Sequence, residues 1–244
     1  MHEPIFQQEK INNQAISSQE SMTMKQISGI KKAQSGFTLI EIAIVLVIIG
    51  LLIGGVLQGQ QLIENSRVRA AVNDFKGVPA AAYSYQDRYG RYPGDDGPLA
   101  TLQARGGQWA NITAASTAPN GILDGAIAAT FTPTVEVLGF WQHLRASGFI
   151  PGNPATIGAA ALPQNPFGGL IGVNSSLIQG MPAGSVKLCM NNVPGSAASA
   201  MDIQLDDGIP NSGTFRGNDA AIPNAAALAT PYDQDTLYTV CIRI

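Results

Sequence analysis

A single carboxylate lies within the most apolar stretch of the chain. Residues 37–57 read FTLIEIAIVLVIIGLLIGGVL, in which Glu41 is the one charged residue. The stretch is long enough to cross a membrane as a helix. A carboxylate there costs roughly 2.5–3.5 kcal/mol on insertion scales, and it is tolerated when a partner compensates its charge or its side chain reaches the headgroups. The spacing therefore predicts either a charge partner for Glu41 or a side chain that snorkels to the membrane surface.

Two cysteines, Cys189 and Cys241, lie in the last quarter of the chain and are the only ones it has. An even pair in an exported protein favours a disulfide. The bond would close a loop of about 50 residues and contribute on the order of 4 kcal/mol through chain entropy. Two buried free thiols are the alternative.

Two acidic turns offer oxygen atoms that could hold a metal ion. Asp206 and Asp207 precede a glycine and Asn211, and Asp95 and Asp96 stand between two glycines. Calcium takes six to eight oxygen ligands, and the spacing does not match an EF-hand loop. Calcium at Asp206, Asp207 and Asn211 is therefore the one cofactor that the sequence indicates. The alternative is ordinary turn chemistry, in which an aspartate before a glycine is common.

Catalytic chemistry has little support in the sequence. His2 and His143 are the only histidines, and His143 is expected to be a surface or packing residue of a short helix. No nucleophile elbow, phosphate-binding loop or His/Cys metal cluster is present in the sequence, so we predict that the protein is not an enzyme. Charged residues make up 13% of the chain and the net charge is -3. Without a basic excess, no nucleic acid is expected as a partner.

The apolar stretch is expected to continue as an amphipathic helix over residues 58–92. Apolar residues recur there at steps of three and four, which predicts one buried helix face. Pro79 interrupts the pattern, and Gly90 with Pro93 and Gly94 ends it. The predicted face consists of Val68, Val72, Phe75, Val78, Ala82, Tyr85 and Tyr89.

The remaining residues, 93–244, predict a loop-rich globular head. Helices are expected at residues 133–147, capped by Thr132 with Pro133 first, and at 196–205. Strands are expected at 186–190 and 237–244, each containing one cysteine. The fold class is therefore α+β, with a long N-terminal transmembrane and amphipathic helix and a small antiparallel sheet in the head. Residues 151–184 show little periodicity.

The residues ahead of the apolar stretch predict its orientation. Lys25, Lys31 and Lys32 precede it, and no acidic residue lies between Glu20 and the stretch. By the positive-inside tendency, the N-terminal side stays in the cytoplasm and the residues beyond the stretch are exported.

Residues 31–41, KKAQSGFTLIE, resemble the prepilin signal of type IV pilins and type II secretion pseudopilins. The resemblance implies that a prepilin peptidase cuts between Gly36 and Phe37 and methylates the new amine of Phe37. It also implies that Glu41 is the family glutamate, whose partner in a filament is the Phe37 amine of a neighbouring subunit. The two cysteines, Cys189 and Cys241, occupy the place where many type IV pilins have a C-terminal disulfide loop, so the fold is expected to be pilin-like.

The same resemblance implies a function: a structural subunit of a type IV pilus-like filament, polymerised through its N-terminal helix. The expected partners are the prepilin peptidase, other pilin subunits (as a homopolymer or with minor pilins), the inner-membrane assembly platform and, before assembly, membrane lipid. The subunit would be a single-pass inner-membrane protein and then part of an extracellular or periplasmic filament. A type II secretion pseudopilin and a minor pilin that acts as a membrane-anchored binding or adhesion module are the alternatives. Some pseudopilins bind calcium in their C-terminal loops.

The resemblance divides the chain into a leader removed on processing (1–36), a membrane and filament-core helix (37–57), an amphipathic continuation (58–92) and a head (93–244) that holds the loop between the cysteines. The leader is long and carries three acidic residues, so we expect translation to start at Met22 or Met24 rather than at Met1. A secretory signal peptide is disfavoured because residues 52–60 offer no small-x-small cleavage site. An uncleaved anchor would leave Glu41 unexplained.

Overall fold

The long N-terminal helix predicted from the sequence is present. The computed structural model describes residues 36–244, apart from 220–222, 224, 225 and 229, so the leader and its alternative start methionines lie outside the described residues. Helix α1 (Leu39–Tyr89) has 51 residues and continues through Pro79. It ends at Gly90, whose φ of +68° suits a glycine after a helix C-terminus.

The chain divides into two units, Met1–Val56 and Leu57–Ile244. In the first unit, every described residue is exposed. Among the described residues, α1 is the one helix long and apolar enough to cross a membrane by its length and composition, and none of its most apolar stretch is buried. An exposed apolar surface of this length needs lipid or another protein to cover it.

In the second unit, α1 supplies one wall of the hydrophobic core. Its buried residues follow the predicted face, with Ala71 and Ala81 added and Tyr89 only half-buried. The Phe75 ring packs edge-on against Phe215 of the sheet, with 5.4 Å between ring centroids. The amphipathic pattern of α1 is thus explained by the sheet that it covers.

The sheet has four antiparallel strands in the order β1-β2-β4-β3. The two central strands are those predicted, within a few residues at their ends. The two edge strands were not predicted because each has only four residues, and β1 is buried throughout and so lacks an alternating pattern. The strands are β1 (Ile171–Asn174), β2 (Lys187–Pro194), β3 (Phe215–Asn218) and β4 (Leu237–Arg243).

Three further α-helices belong to the second unit: α2 (Leu99–Gln103), α3 (Val135–Ala146) and α4 (Gly195–Leu205). Helix α3 begins two residues later than predicted, so Thr134 rather than Thr132 precedes its first turn and Pro133 lies outside the helix. Short 3-10 turns occur at Gly107–Asn111, Ile127–Ala129 and Gly158–Ala161. The observed elements confirm the α+β class.

Candidate functional site

The candidate site is the start of α1, where the predicted cleavage and assembly residues lie together. Gly36 and Phe37 precede the helix in non-helical backbone, and the Phe37 side chain is 84% exposed. Among residues 36–244 as far as they are described, nothing lies within 4 Å of the position that a Cβ on Gly36 would take. The described residues thus leave the Gly36–Phe37 peptide bond uncovered.

Glu41 forms a capping box with Thr38. Its Oε2 accepts hydrogen bonds from the Thr38 N–H at 2.7 Å and from the Thr38 hydroxyl at 2.8 Å. The Glu41 N–H is 3.3 Å from the Thr38 hydroxyl oxygen, so the two residues satisfy each other's free groups at the helix N-terminus. The sequence-based prediction does not include Thr38, although the Thr-x-x-Glu spacing before an apolar run is the signal that indicates it.

The second oxygen of this carboxylate, Glu41 Oε1, accepts no hydrogen bond from the described residues. The carboxylate therefore keeps one acceptor free while the other holds the helix start. An ammonium group of another molecule could approach Oε1 without breaking the capping box. This geometry is compatible with the charge partner that the sequence predicts.

The two cysteines are joined by a disulfide between the central strands. Cys189 and Cys241 are directly opposite each other in the β2–β4 register, and both are fully buried. Ile178 and Met181 pack beside them. The bond encloses a 52-residue separation that contains α4 and β3, and it ties both ends of this segment to the middle of the sheet.

The acidic turn after α4 brings Asp206 and Asp207 together and adds Asp202. One carboxylate oxygen from each of the three lies within 4.8 Å of the others. Asp202 is buried, and both its burial and the nearby Asp207 and Asp206 charges raise its pKa. The sequence-based prediction does not include Asp202, although it stands one helical turn before Asp206.

Donors of the protein itself already occupy many of these carboxylate oxygens. Asp202 accepts from the Tyr232 hydroxyl at 2.9 Å and from the Gly208 N–H at 3.0 Å. Asp206 accepts from the backbone N–H groups of Thr214 and Phe215, and Asp207 accepts from the Ser212 hydroxyl and a backbone N–H. Asn211 is exposed in the turn. These contacts account for the aspartates as turn residues, and calcium at this turn stays a prediction.

The other acidic turn, with Asp95 and Asp96, anchors a loop of the head, and a metal there stays untested. Both are buried, and Asp95 accepts from the backbone N–H groups of residues 120 and 121. Asp96 accepts from the Tyr85 hydroxyl at 2.8 Å and from Arg105 at 2.9 Å. Its charge is thus compensated by a guanidinium, and it fastens the loop to α1.

His143 is a packing residue. It is fully buried, its Nδ1 accepts from the Gly94 N–H at 3.0 Å, and its Nε2 lies 3.0 Å from the Ala114 carbonyl oxygen. These partners assign the proton to Nε2. Burial lowers the pKa of His143 to about 4. A neutral, enclosed imidazole with both nitrogens engaged is not placed to act as a base on an external substrate.

Comparison with known proteins finds a family model that matches the N-terminal residues and solved structures with overall similarity. Residues 31–57 match the family described as the prokaryotic N-terminal methylation motif. No curated protein matches. A solved structure that shows similarity is the type IV pilin TcpA from Vibrio cholerae El Tor biotype, with 11% identity, coverage of 73% of this chain and 99% of that chain, and a TM-score of 0.38.

The matched N-terminal motif lies at the exposed start of α1. The matched segment contains Gly36, Phe37 and Glu41, and it runs from the exposed residues before α1 into the apolar part of that helix. A basic leader, a glycine, a phenylalanine and a glutamate thus occur in order before an apolar helix that nothing in the described chain covers. Residues 31–57 thus carry the prokaryotic N-terminal methylation motif, at the start of an exposed apolar helix.

Proposed function

We propose that the protein is a structural subunit of a type IV pilus-like filament. A prepilin peptidase cuts between Gly36 and Phe37, the Phe37 amine is methylated, and the mature subunit polymerises through its N-terminal helix. The observation that carries this proposal is the order of features at the start of α1. The exposed Gly36–Phe37 bond directly precedes a capped helix whose apolar residues up to Val56 are all exposed.

The exposed apolar part of α1 must be buried in one environment before assembly and in another after it. Before assembly, lipid covers it in the inner membrane, with the lysine-rich leader in the cytoplasm and the head exported. After assembly, the same surface packs on the helices of other subunits in an extracellular or periplasmic filament. The inner-membrane assembly platform would move the subunit from one environment to the other.

Processing supplies the charge partner of Glu41. Cleavage converts the Phe37 amide nitrogen into a positively charged amine, which does not exist in the precursor. In a filament, this amine can approach Glu41 Oε1 of a neighbouring subunit, while Oε2 stays bonded to Thr38. Each charge would otherwise be unpaired in an apolar helix bundle, where an isolated charge is strongly unfavourable. Assembly is thereby coupled to processing.

A type II secretion pseudopilin would use the same processing and the same charge pair, and a minor pilin would carry a binding site on its head. The location and abundance of the fibres distinguish these roles. A major pilin dominates surface fibres removed by shearing, a pseudopilin stays periplasmic, and a minor pilin is a trace component of the fibres.

The proposed function is tested by the intact mass of the subunit in sheared surface fibres. The expected mass is that of residues 37–244 with one added methyl group and with one disulfide. Gly36→Ala should still be processed, and Gly36→Trp should block cleavage because a bulky side chain replaces the open space beside the bond. A mature N-terminus beyond residue 57 would show instead that the apolar stretch is a removed secretory signal.

A further inference from the structure

The disulfide lies on the face of the sheet opposite to α1. Phe215, which packs on α1, is paired with Ile242, and successive residues of a strand point to opposite faces. Cys241 and its partner Cys189 therefore point away from α1. Sulfur atoms on this face would be open to solvent unless another part of the head covered them, yet both cysteines are fully buried.

The cover comes from the loop between β1 and β2, residues 175–186. Ile178 and Met181 in its middle exchange two backbone hydrogen bonds, of 3.2 and 2.7 Å, so the tip of the loop is a tight hairpin. Both side chains are buried and pack on the two cysteines, and the partly buried Ile127 and Phe131 complete the contact. The loop therefore forms a lid over the disulfide, and we call residues 175–186 the lid.

Lys187, the first residue of β2, holds the two arms of the lid together. Its ammonium donates to the Ser176 carbonyl oxygen at 2.8 Å and to the Pro182 carbonyl oxygen, which lie on either side of the tip. The side chain is fully buried. Burial and the nearby Arg243 lower the pKa of Lys187 to about 8, so the ammonium is mostly charged at neutral pH. Hydrogen bonds from a charged donor are stronger than neutral ones, so this contact is the main fastening of the arms.

The tip of the lid is fastened to the sheet by Gln179. Its Nε2 donates to Asn218 Oδ1 at 3.0 Å and to the Thr239 carbonyl oxygen at 2.8 Å. Its backbone carbonyl accepts from Arg216 Nη1 at 3.1 Å. Gln179 is fully buried and has a φ of +50°, the left-handed conformation that a two-residue hairpin turn uses. The lid is thus held at two separate places, at its arms by Lys187 and at its tip by Gln179.

We propose that the lid controls thiol–disulfide exchange at Cys189–Cys241 and that Lys187 is the group that keeps it closed. Exchange requires an external thiolate to attack one sulfur, which forms a mixed disulfide and releases the other cysteine as a thiolate. Neither sulfur can be reached while Ile178 and Met181 cover them. Exchange in the folded head therefore requires the lid to open, which breaks the Lys187 hydrogen bonds while the sheet stays folded.

The same barrier acts on formation of the disulfide. In the reverse exchange, an external disulfide oxidises the two thiols and leaves as two thiols of its own. This exchange also needs access to both sulfur atoms, so the bond forms before the lid closes. An oxidant of this class therefore acts on the incompletely folded head, and the closed lid then protects the product from reduction.

The test measures how fast the disulfide of the mature full-length subunit is reduced in mild detergent at pH 7. The reductant is dithiothreitol, a dithiol that leaves as a cyclic disulfide, and alkylation followed by mass spectrometry counts the thiols formed. Lys187→Met removes the ammonium but keeps an unbranched side chain of similar length. It should speed reduction about tenfold, the ratio expected for the loss of one charged hydrogen bond.

Two further variants accompany it. Gln179→Asn changes the lid itself, shortening the side chain that reaches the sheet while tolerating the left-handed backbone, and it should speed reduction a few-fold. Lys76→Met is the matched control, because it removes an exposed ammonium from α1, and its reduction rate should equal that of the wild type.

The dependence on urea separates lid opening from unfolding of the whole head. Opening the lid exposes little surface, so the faster reduction of Lys187→Met should be present without urea and change little at low urea concentrations. Leu144→Ala, a change in the core on the α1 side of the sheet, should speed reduction only through global unfolding, with a steep dependence on urea. Equal rates in the wild type and Lys187→Met would overturn the proposal, as would a urea dependence in Lys187→Met as steep as that of Leu144→Ala. The measurement involves neither processing nor assembly, so its failure would leave the proposed function untouched.

Discussion

The Thr38 hydroxyl lies 2.8 Å from Oε2 of Glu41, and the Thr38 N–H donates to the same oxygen at 2.7 Å. The carboxylate is therefore held at the helix start within one chain, before any neighbour is present. This local pairing explains how Glu41 is accommodated while the subunit waits in the membrane, where a bare carboxylate would be costly. In the proposed function, Oε1 is then left for the methylated amine of another subunit.

The capping box predicts a role for Thr38 that is separate from charge pairing. Thr38→Val keeps the shape of the side chain but removes the hydroxyl. Two of the three hydrogen bonds between these residues are then lost, the one that the hydroxyl donates to Glu41 Oε2 and the one that it accepts from the Glu41 N–H. We expect normal cleavage and a reduction of filament yield by a few-fold, because Glu41 keeps its charge but is less well positioned. The measurement is mature subunit in sheared fibres relative to the membrane pool.

Thr38→Ser is the matched control for this variant, since it retains the hydroxyl, and it should assemble as the wild type does. If Thr38→Val and Thr38→Ser gave the same yield, the capping box would have no part in assembly.

We expect the head to lose stability when the disulfide is removed. Cys189→Ser should lower the free energy of unfolding by about 4 kcal/mol, the chain-entropy value for a loop of this length, because the bond connects β2 and β4 at the centre of the sheet. The denaturant midpoint and the rate of proteolysis of the full-length protein in detergent measure the effect. The double variant Cys189→Ser/Cys241→Ser should match the single one. An unchanged midpoint when the wild type is reduced would contradict this role.

We expect His143 to make a contribution to head stability that is lost in acid. Its pKa is lowered by burial to about 4 in the folded head and returns to about 6.5 on unfolding. The unfolded chain therefore binds more protons between these values, so the stability due to the neutral imidazole is lost as the pH falls from about 6.5 to 4. The full loss is about 3 kcal/mol by the size of the shift.

His143→Gln provides the comparison, since an amide can still accept from the Gly94 N–H and donate to the Ala114 carbonyl. Thermal unfolding of both proteins at pH 6.5, 5 and 4 should show a steeper decline for the wild type. Parallel declines would mean that groups other than His143 set the acid response.

The parts of the fold that the sequence predicts are those with a repeated local pattern. The α1 face from Val68 to Tyr85 follows helical spacing over five turns, and helix α4 lies within one residue of its predicted bounds. Strands β1 and β3 depend on pairing with β2 and β4 across long stretches of chain, and four residues are too few for a period to be seen.

The burial of polar residues could likewise not be predicted from the local sequence. Lys187 opens strand β2 and is fully buried, with its ammonium bonded to the Ser176 and Pro182 carbonyls. In the sequence, Asp96 has the neighbours of a turn carboxylate, whereas in the structure Arg105 and Tyr85 donate hydrogen bonds to it. In each case the partner that makes burial tolerable comes from a loop whose position the local sequence does not encode. The start of α1 was predictable because all its groups lie within six residues.

The most direct test of the account replaces Glu41. Glu41→Val should insert and be cleaved normally, because an apolar residue suits the membrane, yet filaments should be almost absent while mature subunit accumulates in the membrane. Glu41→Gln should be nearly as defective, since the amide keeps the shape but leaves the Phe37 amine without a countercharge. The decisive quantity is the ratio of mature subunit in sheared fibres to mature subunit in the membrane. A collapse of this ratio in both variants, with processing intact, is the predicted result, and a wild-type ratio in Glu41→Val would contradict the charge-pair account.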